Sequence, residues 1–311
     1  MGMMIVGDYL DDEAITANII ADSINEMGQR MTTMELEYPR FILAELNTHR
    51  MLSKNSASSR AIPVKRMIEL IDKNPAMPVH WGQNQAGMSA KTELPDLQLQ
   101  AAKKTWMAAK DMALAFVRVL NDIGLHKQVA NRIAEPWQRM KTVISGTEWE
   151  NLLWLRDHED AQPEFAELAR CIRIAMEQSK PMLLAKGEWH LPYVKSERIN
   201  GWMRYYDSNG EELSLTEAIK ISTSCCAQVS YRRLDESREK ALDIYDKLIG
   251  ADRKHFSPFE HQAMPIPPGQ LTAGIQHIAG VSHMDKKGDY WSGNLRGWVQ
   301  HRKILEEQHE V

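Results

Sequence analysis

The chain has 311 residues, 43% of them hydrophobic and 26% charged, with a formal net charge of -4. Length and apolar content suit one large or two intimate domains and exclude a disordered composition, while the acidic balance argues against broad nucleic-acid binding but leaves room for a basic pocket holding a mononucleotide. The three cysteines, Cys171, Cys225 and Cys226, are odd in number with an adjacent pair, so no disulfide framework is expected and a reducing cytoplasm is.

Met1 to Glu13 is acidic with a very short apolar run, so no signal peptide is expected, and no stretch approaches a membrane span. Met34, Leu36 and Tyr38 alternate with Glu35 and Glu37, which predicts a strand with one buried face. Pro39 then suits the first turn of a helix running to about Arg50. Pro63 closes the polar loop that follows. Residues 72–98 carry Pro75, Pro78 and Pro95 with few periodic apolar positions, and read as a long connection or lid.

Trp106, Ala109, Ala113, Phe116, Leu120 and Ile123 recur at threes and fours, predicting a helix over 99–123 with Gly124 just past its end. A short helix through Arg132 follows, closed by Pro136. Thr142 to Ile144 suits a strand, and helices are expected from about Glu148 to Arg156 and from Pro163 to Ser179. Residues 186–212 are aromatic and Gly-rich without clear periodicity. Ser214-Leu215-Thr216-Glu217 is a capping box for another helix. Asp235 to Ile249 reads as helical with Gly250 after it, 264–293 as loop, and Arg296 to Gln308 as a last helix. No internal repeat appears.

Three segments carry chemistry. The first is Leu46 to Arg60, where His49 and Arg50 precede a loop of hydroxyl and amide side chains (Ser53, Asn55, Ser56, Ser58, Ser59) ending in Arg60. It lacks the apolar residues of a core and is rich in the donors that a phosphate or an oxygen-rich ring requires. The bland alternative for His49 and Arg50 is a basic helix end that favours the dipole's negative pole. The second runs from Trp149 through Asn151 to Arg156 and on to Asp160-Ala161-Gln162-Pro163-Glu164. There the bland alternative is a solvent-facing Arg156 paired with Asp157 or Glu159. The third is Val229-Ser230-Tyr231 with His255-Phe256-Ser257-Pro258-Phe259-Glu260-His261. His255 and His261 are six apart around a proline, which is no helical zinc pair, so no metal site is expected.

Together the three resemble the motifs of flavin-dependent thymidylate synthases. Arg50 plus eight falls on Ser58, with Asn55 three before it and Arg60 two after. The third segment usually precedes the first, so the order looks permuted, as in phage-type members. The resemblance implies an α+β fold with helices packed on a mixed sheet, forming one large domain over 1–311 with a lid at 72–98 and a loop-rich tail at 262–311. It implies a homo-oligomer, a tetramer in the family, in the cytoplasm (the host's if phage-encoded), without polymeric nucleic acid or membrane.

The implied reaction is transfer of one carbon from methylenetetrahydrofolate to C5 of a deoxypyrimidine monophosphate, dUMP to dTMP favoured, with FAD as cofactor and NADPH as reductant. His49, Arg50, Asn55, Asn151, Ser230, His255 and Ser257 would hold flavin. Ser58, Ser59, Arg60 and Arg132 would hold the nucleotide, across a subunit interface. Arg156 would bind and polarise the pyrimidine as the catalytic cation. The alternatives are hydroxymethylation of dUMP, methylation or hydroxymethylation of dCMP for modified phage DNA, or a non-catalytic nucleotide- or flavin-binding protein.

The sequence departs from the family pattern at Thr48, Glu45, Ser56 and Ala61, and at Ser145 and Thr147, which fall about where Asn and Arg would meet flavin. Asn294, Arg296 and Arg302 are candidates to substitute for the lost polar contacts. Cys225 and Cys226 lie at an apolar helix end without an adjacent cation, which suits small buried hydrophobes better than a thiolate nucleophile. No Gly-x-Gly-x-x-Gly or Walker loop is present. Trp81, Trp189 and Trp291 suit core or interface better than a stacking platform.

Overall fold

The computed structural model describes residues 15–229, 238–251, 254–266 and 278–308. In chain order the elements are β1 (Thr16–Asn25), β2 (Arg30–Pro39), α1 (Leu43–Leu46), β3 (Ser53–Ser56), α2 (Val64–Lys73), α3 (Asp96–Asp122), α4 (Lys127–Ala130), β4 (Arg139–Gly146), α5 (Glu150–Arg156), α6 (Pro163–Gln178) and β5 (Met182–Leu184). There follow β6 (Lys195–Ile199), β7 (Trp202–Tyr206), β8 (Glu212–Leu213), α7 (Leu215–Ala227), α8 (Arg238–Gly250), β9 (Ala263–Pro265), β10 (His283–Met284), β11 (Tyr290–Ser292), β12 (Leu295–Arg296), β13 (Trp298–Gln300) and α9 (His301–Gln308).

The main sheet is mixed, in the order β3-β4-β2-β1-β5, with β5 parallel to β1 and the other pairs antiparallel. Alternation on β2 divides its two faces. Met34, Leu36 and Tyr38 are fully buried against Phe165, Leu168, Ala169 and Ile172 of α6. Thr33 and Glu35 point the other way, beside Ser145 and Val143 of β4. That second face meets Cys226 and Val229 around α7 and Tyr193, whose hydroxyl donates to Glu35 at 3.0 Å. A separate apolar group joins α2, α3 and α4 through Met67, Ile71, Leu114, Val117 and Ala130, with Trp137 beside them.

Several expectations need correction. The helix after Pro39 is only a turn over Arg40–Ile42 followed by α1, and it ends at Leu46 rather than near Arg50. The Thr48 hydroxyl bonds back to the Glu45 carbonyl at 2.7 Å, a local bond that competes with helix continuation. His49 and Arg50 therefore stand in a turn, and part of the expected loop is the strand β3. Residues 186–212 contain most of the small sheet β6-β7-β8, and the loop-rich tail contains β9 to β13. The connection without helix is 74–95, since α2 and α3 take both its flanks.

Other features follow the sequence closely. The Ser214–Glu217 capping box opens α7, and Gly124 takes the left-handed φ of 84° past α3, with Leu125 N–H reaching back to the Leu120 carbonyl at 2.9 Å.

Gly297 is required for two reasons. Its φ is 74°, and a Cβ there would fall on the Gln29 amide, which Asn25 holds at 2.9 Å. Gly297→Ala is expected to cost about 2–4 kcal/mol through strain and overpacking. Thermal melting of the purified variant checks this, and an unchanged Tm would contradict it.

Candidate functional site

The alternation of β3 places its side chains in two environments. Ser53 and Asn55 face the segments from the carboxyl-terminal third, whereas Lys54 and Ser56 face the other side of the sheet. Asn55 donates to the Cys226 carbonyl at 2.5 Å. Ser53 meets Asn294 at 3.0 Å, and Gln300 bridges Asn294 and the Glu260 carbonyl, each at 3.2 Å. The Ser257–Glu260 turn thus packs beside β3 although about 200 residues separate them.

On the other side, Arg156 is held at three points. Its Nε donates to His49 Nε2 at 3.2 Å, its Nη1 to Glu45 Oε2 at 3.0 Å, and its guanidinium lies 4.7 Å from the Phe165 ring centroid. The His49 ring meets the same phenyl edge-on at 5.6 Å. Accepting from Arg156 requires His49 to be neutral with its proton on Nδ1. Burial first, then the Arg156 and Lys54 charges, lower the His49 imidazole to about 4.

Lys54 spans the turn. Its ammonium donates to the His49 carbonyl at 2.6 Å and the Leu52 carbonyl at 2.8 Å, and burial lowers its pKa to about 8 against the opposing pull of Glu260. Ser56 and Thr142 share a hydroxyl chain with Tyr38 at 2.8 and 2.7 Å. Burial pushes the Tyr38 phenol up to about 12.

Asn131 braces the next turn, donating to the Ser59 carbonyl at 2.8 Å and the Ile62 carbonyl at 3.0 Å, while Lys127 donates to the Ala61 carbonyl at 2.9 Å. This brings Ser58, Ser59 and Arg60 next to the element that carries Arg132. Ser59 is buried, Ser58 half-buried, and Arg60 and Arg132 are exposed. The Arg132 guanidinium is 3.6 Å from Glu135.

Of the candidate residues, then, His49 and Arg156 are in contact, Asn55 joins the carboxyl end of α7 through the Cys226 carbonyl, and Ser58, Ser59 and Arg60 neighbour Arg132. Arg50 is exposed in the turn after His49. Asn151 is exposed on the first turn of α5, and His255 and Ser257 are exposed at the Ser257–Glu260 turn. Among the described residues, no hydrogen bond or ion pair joins these last two to His49 or Arg50. Ser230 lies outside the described residues.

The solvent-facing alternative for Arg156 named the wrong partner: Asp157 pairs with Arg173 at 2.5 Å, and Glu45 takes Arg156. Arg296 is paired with Glu148 at 2.7 Å and Asp289 at 3.5 Å, and Arg302 with Glu260 and Glu306. Asn294 alone of the three reaches β3. Lys54 was missed because a lysine inside a polar run carries no periodicity to mark it.

Ser145 stands on β4 opposite Ser53 of β3. It is fully buried in a chain of side chains running from Ser23 to His190 (2.8 Å), to Thr33 (2.8 Å), to Ser145 (2.6 Å) and to His261 (2.8 Å). His261 Nε2, at the end of this chain, is buried without a partner. Thr147 is buried and accepts from the Arg296 N–H at 3.0 Å.

Cys226 is buried and Cys225 half-buried. Gln262 donates to the Cys226 thiol at 3.5 Å. Among the described residues no group of three or more His, Cys, Asp or Glu gathers as a metal site would require, and no helix is long and apolar enough to cross a membrane. A groove lined by Arg40, Leu43, Ala44, Trp106, Glu135 and Glu164 includes none of the candidate residues.

No family model matches the sequence, and no curated protein matches it. Among solved structures the chain is similar to the UMP/dUMP methylase PolB from Streptomyces cacaoi bound with 5-Br UMP. The identity is 14% over 55% of this chain and 91% of that one, with a TM-score of 0.46. It is also similar to Thymidylate Synthase X from Helicobacter pylori with FAD and dUMP, at 21% identity over 47% of this chain and 67% of that one, with a TM-score of 0.33. A second structure of that enzyme is described as a flavin-dependent thymidylate synthase, the family whose motifs the sequence resembles.

Proposed function

We propose that this protein transfers one carbon from methylenetetrahydrofolate to C5 of a deoxypyrimidine monophosphate, with FAD as redox cofactor and NADPH as reductant. One observation carries the reading. Two motif segments distant in sequence meet the first: Arg156 touches His49, and the Ser257–Glu260 turn packs on β3.

The donor set fits a flavin. Arg50, Asn151, His255 and Ser257 are exposed and offer a guanidinium, an amide, an imidazole and a hydroxyl, suited to a diphosphate and the polar edge of a ring. When bound, the flavin supplies the hydride that turns the transferred carbon into methyl. The chain supplies position and charge. Arg60, Ser58, Ser59 and Arg132 hold the nucleotide phosphate. Arg156, fixed by His49 and Phe165 before substrate arrives, aims its guanidinium at a ring carbonyl and stabilises charge developing there. His49, kept neutral, accepts from Arg156 without repelling it.

A second reading changes the base. Glu45 places a carboxylate oxygen 3.0 Å from Arg156. A carboxylate accepts well from the exocyclic amine of cytosine and has no such partner at O4 of uracil. Parallel incubation with dUMP and dCMP, followed by product mass, separates the two bases and separates methyl from hydroxymethyl.

The reading requires flavin binding. Purified protein is expected to take up FAD with quenching of flavin fluorescence, and Arg50→Ala to weaken retention about tenfold or more, the scale of one charge-assisted bond. A wild type that ignores FAD would remove the redox mechanism and leave a nucleotide-binding protein.

A further inference from the structure

We propose that α3 is a self-association helix, pairing antiparallel with α3 of a second copy about a two-fold axis at Met112. The helix has two apolar faces. One, with Ala113, Leu114 and Val117, is buried in its own chain. The other is exposed: Leu97 at 81%, Met112 at 63%, Phe116 at 55%, Val119 at 56% and Ile123 at 73%.

From Ala109 onward the exposed positions step 3, 4, 3, 4 through Met112, Phe116, Val119 and Ile123, the spacing of a helix–helix seam. Exposed apolar residues scattered singly need no explanation, but a continuous seam along most of a helix about 40 Å long does.

Shape selects the partner and its direction. Apart from Leu97 at the start of the helix, the amino-terminal half of this face is small, with Ala101, Thr105, Ala108 and Ala109, all exposed. The carboxyl-terminal half is bulky, with Phe116, Val119 and Ile123. An antiparallel pair centred on Met112 sets Phe116 opposite Ala108, Val119 opposite Thr105 and Ile123 opposite Ala101, and the two-fold repeats each fit. A parallel pair would stack Phe116 on Phe116.

Charge selects the same arrangement. Lys104 and Asp122 are exposed on one flank of the seam, and only the antiparallel register sets Lys104 of one copy beside Asp122 of the other, twice.

The test uses the full-length protein. Wild type should run by light scattering as an oligomer of even number. Phe116→Glu should raise the dissociation constant of this step at least about thirtyfold, the scale of losing a central aromatic anchor, with circular dichroism unchanged because the residue is exposed in its own chain. Met112→Cys should form a covalent dimer under mild oxidation, as should Ala108→Cys with Phe116→Cys in one chain, whereas Phe116→Cys alone should not. Wild type, with its three native cysteines, is oxidised alongside. Lys104→Asp should weaken association, and adding Asp122→Lys should restore it. A monomeric wild type, an unchanged mass for Phe116→Glu, or cross-linking by Phe116→Cys alone would overturn the proposal.

Discussion

Arg156→Ala is expected to lower nucleotide affinity or turnover about tenfold or more while the protein still folds. The guanidinium is gripped by Glu45, His49 and Phe165, so its orientation is set before substrate binds. A preorganised cation costs no reorganisation when charge develops on the ring, which is where such groups have their largest effect. Arg156→Lys should not restore function. An ammonium cannot lie flat on Phe165 while donating to Glu45 and His49 from separate edges. Calorimetric titration with dUMP and dCMP, together with turnover, provides the readout. Wild-type affinity and rate in Arg156→Ala would show that the cation faces no substrate. Cys225→Ser and Cys226→Ser should leave most activity, because Cys226 is buried and Cys225 half-buried, the setting in which a cysteine serves as a small apolar side chain.

The protein should also lose stability steeply on mild acidification. His190 and His301 are held down to about 4 and His261 to about 3, in each case first by burial. In the unfolded chain each titrates near 6.5. Above that pH both states are neutral, and the contribution is at its plateau. As pH falls below 6.5 the unfolded chain takes up protons that the folded chain refuses, so stability declines until pH passes the folded values. For a histidine held at about 4 the loss reaches roughly 3 kcal/mol, and the other two act in the same direction. Melting temperatures between pH 8 and pH 4 check this. A Tm that stays level from pH 6.5 to pH 4.5 would contradict it.

The elements read best from sequence are those with one dominant face. β2 alternates cleanly because α6 covers one side of it with apolar side chains, and α7 announces itself by its capping box. β1 was not legible. Its register shifts between Ile19 and Ala21, and Ser23 and Asn25 point polar groups inward, so no period of two survives. Ser23 serves the buried histidine chain and Asn25 donates to the Gly297 carbonyl at 3.0 Å, partners that only the assembled fold reveals. The carboxyl-terminal strands are two or three residues each, too short to show a pattern.

The candidate residues were legible as motifs, and their local roles were not. Glu45 is a departure from a pattern in sequence and the anionic partner of Arg156 in the structure. Arg296 and Arg302 look like spare cations in sequence, yet carboxylates engage both.

The dependence of β3 on the far end of the chain bears on how this protein is made. A nascent chain that has emerged as far as α6 can pair β1, β2, β3 and β4 and cover one face of the sheet. Asn55 meets the Cys226 carbonyl only after 171 further residues have been made, and Ser53 meets Asn294 only after 241. Contacts of such long sequence separation form late and slowly, so the edge strand stands open during translation, a template for pairing with neighbouring chains. Its residues, Ser-Lys-Asn-Ser, are polar and carry a lysine, which are the side chains that discourage such pairing while the strand waits for its cover.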